Sequence, residues 1–94
     1  MGNFIVSYDL NGPAPTHAQM DAHIRAGCLQ YGRILETVWY VRANTNADQL
    51  FAYLGQILTP NDRLMVVEGG RIVVRNLLID DKALINAWNG QHAA

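Results

Sequence analysis

The residue of this chain best placed to do chemistry is Asp9, which closes the apolar run Phe4-Ile5-Val6-Ser7-Tyr8-Asp9-Leu10-Asn11. A carboxylate at the end of a sheet strand sits on the rim of the sheet, where it can ligate a hard cation or serve as a general base. The same pattern also suits a turn, because Asp9 and Asn11 can both hydrogen-bond their own backbone and favour loop entry. Other reactive side chains are scattered. His17 and His23 are too far apart for paired helical metal ligands and read as surface residues, as does His92, although His17 follows Asp9 closely enough to assist a proton transfer there. Cys28 falls on an apolar helical stripe and reads as a small core residue. Asn61-Asp62 follows Pro60 and reads as a turn, though it could add a carboxylate. Gly69-Gly70 is followed by no lysine and no helix start, so it is not a phosphate loop. Trp39, Tyr40 and Trp88 could stack bases, but their apolar neighbours assign them to a core or an interface.

Any site on this chain must be built from little material. Its 94 residues suffice for a single domain, 1–94, and are too few for a large cleft, which would need a second copy. Half of the residues are hydrophobic and 16% are charged, which leaves apolar surface for another subunit to cover. A homodimer is therefore expected. The net charge is −1, the only lysine is Lys82, and Arg25, Arg33, Arg42, Arg63, Arg71 and Arg75 are spread along the chain. This is not the clustered basic pattern of a binder that relies on phosphate neutralisation. The single cysteine cannot form an intramolecular disulfide. With no signal-peptide pattern and no apolar run near ~18 residues, a cytoplasmic chain with no membrane contact is expected.

The elements follow from periodicity. After the first strand, Gly12-Pro13-Ala14-Pro15 is a turn, and Thr16 with Gln19 forms a capping box for a helix whose stripe is Met20, Ile24, Cys28 and Tyr31, with Gly32 as its stop. From Arg33 to Ala43 the pattern is strand, with Leu35, Trp39 and Val41 on one side and Ile34, Val38 and Tyr40 on the other; Glu36-Thr37 divides it into two strands or marks a bulge. Both faces are apolar, so a sheet with helices on only one face needs other cover, and a partner subunit is the simplest source. Thr45 or Asn46 caps a second helix with Leu50, Leu54, Ile57 and Leu58 inward. Residues 63–68 are a strand, Gly69-Gly70 turns it into an antiparallel ribbon with 71–75, and Asp80-Asp81 leads a short helix bearing Leu84, Ile85 and Trp88, which frays over 90–94. The expected fold is α+β: a ferredoxin-like (split βαβ) sandwich, with helices on one face of an antiparallel sheet and dimer packing on the other.

Three segments in order, Tyr8-Asp9-Leu10, Ile34-Leu35-Glu36-Thr37-Val38-Trp39-Tyr40-Val41 and Asn61-Asp62-Arg63-Leu64, resemble the CRISPR-associated "Cas two" superfamily, and most closely its stand-alone SinR-like branch. Asn76-Leu77-Leu78 is similar to that branch as well. The resemblance implies a homodimer in which Asp9 of each subunit faces its twin and holds magnesium or manganese for hydrolysis of RNA or DNA phosphodiesters. Asp9 is then both the catalytic and the metal-binding residue. Two departures from the family pattern point to an alternative, a non-catalytic dimeric adaptor for nucleic acid or a protein partner. The loop 11–17 carries no arginine, and Tyr40 stands where the family commonly has an acidic residue.

Overall fold

The alternation in the first strand organises the molecule. In β1 (Gly2–Asp9), Phe4, Val6 and Tyr8 are buried on one face, while Ile5 and Ser7 turn to the other. The computed structural model describes residues 2–89. The frayed end expected at 90–94, His92 included, lies outside the described residues.

The elements after β1 are α1 (His17–Gly27), β2 (Gln30–Leu35), β3 (Val38–Ala43), α2 (Ala47–Gly55), β4 (Arg63–Glu68) and α3 (Asp81–Asn89). The strands form one sheet in the order β2-β3-β1-β4, and every neighbouring pair is antiparallel. The fold is thus α+β. No helix is long and apolar enough to cross a membrane among the described residues.

The first two helices start where their caps predict. Thr16 Oγ1 accepts from the Gln19 amide at 3.2 Å while Gln19 Oε1 accepts from the Thr16 amide at 2.8 Å, completing a capping box. Asn46 Oδ1 accepts from the Gln49 amide at 2.8 Å and caps α2. Helix α1 ends earlier than its apolar stripe suggested. Leu29 already donates its amide to the Arg42 carbonyl at 2.8 Å, and Tyr31 pairs with Val41, so Tyr31 belongs to β2 and not to the helix. Cross-strand bonding to β3 claims this segment before the helix can continue. The break at Glu36-Thr37 is a two-residue turn between β2 and β3, with a register irregularity between Arg33 and Leu35.

Two clusters sandwich the sheet. Under α1 and α2 lie Phe4, Val6, Tyr8, Met20, Ile24, Trp39, Val41, Ala43, Leu50 and Leu54. On the opposite face Ile34, Tyr40 and Leu84 are buried, with Ile5, Val38, Ile72, Val74, Leu77, Ile79 and Trp88 packed against them. The expectation of helices on one face only is therefore corrected, because the chain covers its own second face with residues 72–79 and α3. The expected ribbon is corrected as well. Gly69 and Gly70 adopt positive φ (68° and 87°) and turn the chain, but residues 71–75 form no strand; Ile72 and Val74 pack over the sheet instead. Laying them on the face removes apolar surface on both sides from water, whereas pairing with β4 would have left Ile5, Val38 and Tyr40 bare.

Candidate functional site

Asp9 stands at the last position of β1, directly opposite Arg63 at the first position of β4. The Arg63 guanidinium donates through Nη1 to Asp9 Oδ2 at 3.1 Å, and both side chains are largely exposed, Asp9 by 60% and Arg63 by 77%. Sequence reasoning looked for a cation in the loop after β1 and found none; the cation arrives from β4 through strand register. Asp9, Arg63, Ser7, Thr37 and Met65 line an open groove of about 470 Å³. Ser7 shares the Asp9 face because it lies two residues back along the strand, while Tyr8 faces the other way.

An exposed ion pair of this kind contributes about 0–1 kcal/mol, so either partner can be drawn away by a competing ligand at little cost. Among the described residues no group of three or more His, Cys, Asp or Glu could hold a metal ion. One exposed carboxylate beside two hydroxyls is still a donor set of the kind magnesium and manganese use, since these hard ions accept one or two carboxylates, keep several waters and take further oxygens from a substrate phosphate.

The neighbouring Asp62 is a fastener for the turn. Its Oδ1 accepts from the Asn11 amide at 2.8 Å, and Oδ2 accepts from the Thr59 amide at 2.8 Å and the Thr59 hydroxyl at 3.0 Å. The Asn11 and Thr59 amides hold its carboxyl below the usual carboxylate value. Asn11 Nδ2 donates to the Asn61 carbonyl at 2.8 Å, so the turn at 59–62 and the loop after β1 position the Asp9 rim together.

A second polar centre escaped the sequence reading. Asp21 on α1 is 5% exposed, the one buried charged residue among those described. The Tyr8 hydroxyl donates to its Oδ1 at 2.7 Å and Arg33 Nη2 to its Oδ2 at 2.5 Å. Arg33 also lies over the Trp39 ring, its Cζ 5.5 Å from the centroid. Burial, and then the adjoining Asp21 carboxylate, push the Tyr8 phenol up to about 12. The Trp39 indole N–H lies near the Tyr8 oxygen and opposes that rise, but Nε1 falls outside hydrogen-bond geometry and has no partner. The overlooked signal was a carboxylate three residues before Ile24 and seven before Cys28, at the border of the α1 stripe, with an arginine on the strand that α1 covers.

The remaining candidates separate from Asp9. His17 tilts against the Tyr8 ring with centroids 6.0 Å apart, on the helix side of the sheet and away from the Asp9 face. His23 stacks on Tyr53 at 4.1 Å and its Nε2–H donates to the Tyr53 carbonyl at 2.7 Å, while the Tyr53 hydroxyl donates to the His23 carbonyl at 2.7 Å. A Cβ at Gly27 would run into the Tyr53 ring, which is why glycine ends α1 there. Cys28 packs against the core and burial pushes its thiol up to about 11, so it is a poor nucleophile near neutrality. Trp39 and Tyr40 are both 3% exposed, and Trp88 packs against Tyr40 at 6.1 Å. Trp39 and Tyr40 therefore offer no free face for a base, while Trp88 is half-buried. No protein-family model, curated protein or solved structure matches the chain.

Proposed function

We propose that the chain is a Cas-two-like protein of ferredoxin-like fold that acts in the cytoplasm as a homodimer on RNA or DNA phosphodiesters, with Asp9 as its metal-binding and catalytic carboxylate. The element order β1-α1-β2-β3-α2-β4 with sheet order β2-β3-β1-β4 is what a split βαβ repeat produces, and it supports the fold assignment. The observation that carries the activity is the Asp9–Arg63 pair on the groove rim.

In this reading the pair opens when a phosphodiester enters. Arg63 moves its donors from Asp9 to a non-bridging phosphate oxygen, for which a planar guanidinium is well suited. Asp9 is then released with its full negative charge. The Ser7 and Thr37 hydroxyls, in the same groove, can donate to the remaining phosphate oxygens and orient the group. A magnesium or manganese ion held by Asp9, and by its twin across a dimer axis, would supply an activated water and charge neutralisation.

Cleavage of labelled single-stranded RNA and DNA with magnesium or manganese tests this directly. Asp9→Asn should lose at least ~100-fold in rate, the usual scale for removing a catalytic group, and Arg63→Ala should chiefly raise KM. Equal rates in wild type and Asp9→Asn, or none in either, would overturn it.

A second reading, a non-catalytic dimeric adaptor for nucleic acid or a protein partner, draws support from the neutralisation of Asp9 by Arg63 and from the lack of a three-group metal cluster among the described residues. It expects dimerisation and partner capture that chelation of divalent ions leaves unchanged. A monomer by light scattering would count against both readings.

A further inference from the structure

A nucleic-acid substrate needs more than a phosphate clamp, and Tyr8, the aromatic residue beside Asp9 at the groove, is 3% exposed and turned to the helix face. The largely exposed aromatic rings among the described residues are Phe51 on α2 and Tyr31 on β2, an edge strand of the sheet, and Tyr31 has a part-exposed arginine, Arg33, on the same strand. Tyr31 and Arg33 stand two residues apart on this strand and so project to the same side, about 7 Å from each other. Tyr31 is 47% exposed and the Arg33 side chain 42% exposed. We propose that Tyr31 and Arg33 form a stacking platform for the bases of a single-stranded nucleic acid, a site that rests on the reading of this protein as one acting on phosphodiesters.

Three features separate this pair from an ordinary exposed tyrosine and arginine. Both rest on Trp39: the Tyr31 ring tilts against it with centroids 6.3 Å apart, and the guanidinium lies over it. Both planar groups are therefore backed by a buried ring. Arg33 is also tied at Nη2 by the buried Asp21, which leaves its other N–H groups and outer face to meet a ligand. Its ordering cost is met within the fold and does not fall on binding. Charge at the site favours an anion as well. Arg25 is exposed on α1 one helical turn beyond Asp21, so it shares the helix face turned toward β2, and two guanidinium groups stand against a single buried carboxylate. An aromatic ring, a stacked guanidinium and a second cation along one open edge suit unpaired bases with their phosphates, because every base has a π-face while a duplex hides it.

The test is fluorescence anisotropy of labelled oligothymidylate, oligouridylate and a duplex of equal length at low salt, with thermal melts of each variant to confirm folding. Wild type should bind the single strands at least ~5-fold more tightly than the duplex, and Tyr31→Leu should weaken that binding at least ~5-fold, in line with the loss of one stacked base. Tyr31→Phe should stay within ~2-fold of wild type, since the ring is what stacks. Arg33→Lys keeps the charge beside Asp21 and loses the plane, so it should weaken single-strand binding while leaving duplex binding unchanged. Unaltered binding by Tyr31→Leu, or equal affinity for duplex and single strand, would overturn the platform. Cleavage lost in Asp9→Asn together with normal binding by Tyr31→Leu would remove the platform and keep the hydrolytic reading. Weakened binding by Tyr31→Leu with no cleavage by any variant would do the reverse.

Discussion

The two faces of the sheet are covered in different ways. Under α1 and α2, ten buried side chains form one continuous cluster, and both helices are closed by complete N-caps. On the other face three buried side chains, Ile34, Tyr40 and Leu84, are overlaid by an irregular segment and by α3. That cover is fastened by a few polar ties: Asn3 Nδ2 donates to the Trp88 carbonyl at 2.6 Å, the Tyr40 hydroxyl to Asn3 Oδ1 at 2.9 Å, and the Trp88 indole to the Gly70 carbonyl at 2.7 Å. The contrast separates what holds the fold from what dresses it. The helix face supplies most of the apolar burial and so most of the stability, while the second face, where Asp9 lies, is only partly sealed and leaves Met65 and Val67 exposed beside the groove.

The largest expected effect is on the helix face. Phe4→Ala should cost about 3–5 kcal/mol in urea unfolding, because Phe4 is fully buried at the centre of that cluster. Leu84→Ala, the corresponding truncation on the second face, should cost about 2–3 kcal/mol and should raise amide exchange in α3 while sparing α1 and α2. A loss equal to that of Phe4→Ala, with exchange rising everywhere, would make the two faces a single cooperative core. Tyr8→Phe should cost about 1–2 kcal/mol by leaving one oxygen of buried Asp21 without its donor. It should also remove the tyrosinate absorbance step near pH 12, since the folded phenol ionises well above its ordinary value of 10.0. The sign follows from linkage: the raised folded pKa gives a contribution present below pH 10 and lost as pH climbs through about 12. The smallest effect is at Asp62. Its folded pKa is lowered, so the stability it adds is present above its ordinary value of 3.8 and is lost as pH falls through the folded value; Asp62→Asn should flatten that acid limb of the unfolding curve.

Much of the helix face was legible in the sequence. The apolar run that starts at Phe4, the Thr16–Gln19 box, the cap at Thr45 or Asn46 and the stripe residues Met20, Ile24, Leu50 and Leu54 are local patterns whose meaning does not depend on distant partners. The second face was legible only as a need. The two-sided apolar middle strands demanded cover, and a partner subunit was expected where the chain brings its own residues 72–79 and Leu84. The strand-like run 71–75 misled because β-branched residues suit a ladder and an apolar lid equally well.

The candidate site divides along the same line. By itself the sequence determined that Asp9 ends a strand, that Trp39 and Tyr40 are inside and that Cys28 is a core residue, because each follows from burial periodicity within a few neighbours. Only the tertiary structure decided that Arg63, 54 residues away, pairs with Asp9, that Asp21 is buried against Tyr8 and Arg33, and that Tyr31 stands on an open edge and not in a helix. The Asp9–Arg63 pair and the place of Tyr31 are consequences of strand register, and the burial of Asp21 follows from how α1 packs on the sheet. The pairing of β1 with β4 joins positions more than 50 residues apart in the chain, so it is decided when whole strands assemble into the sheet and not by spacing within either strand.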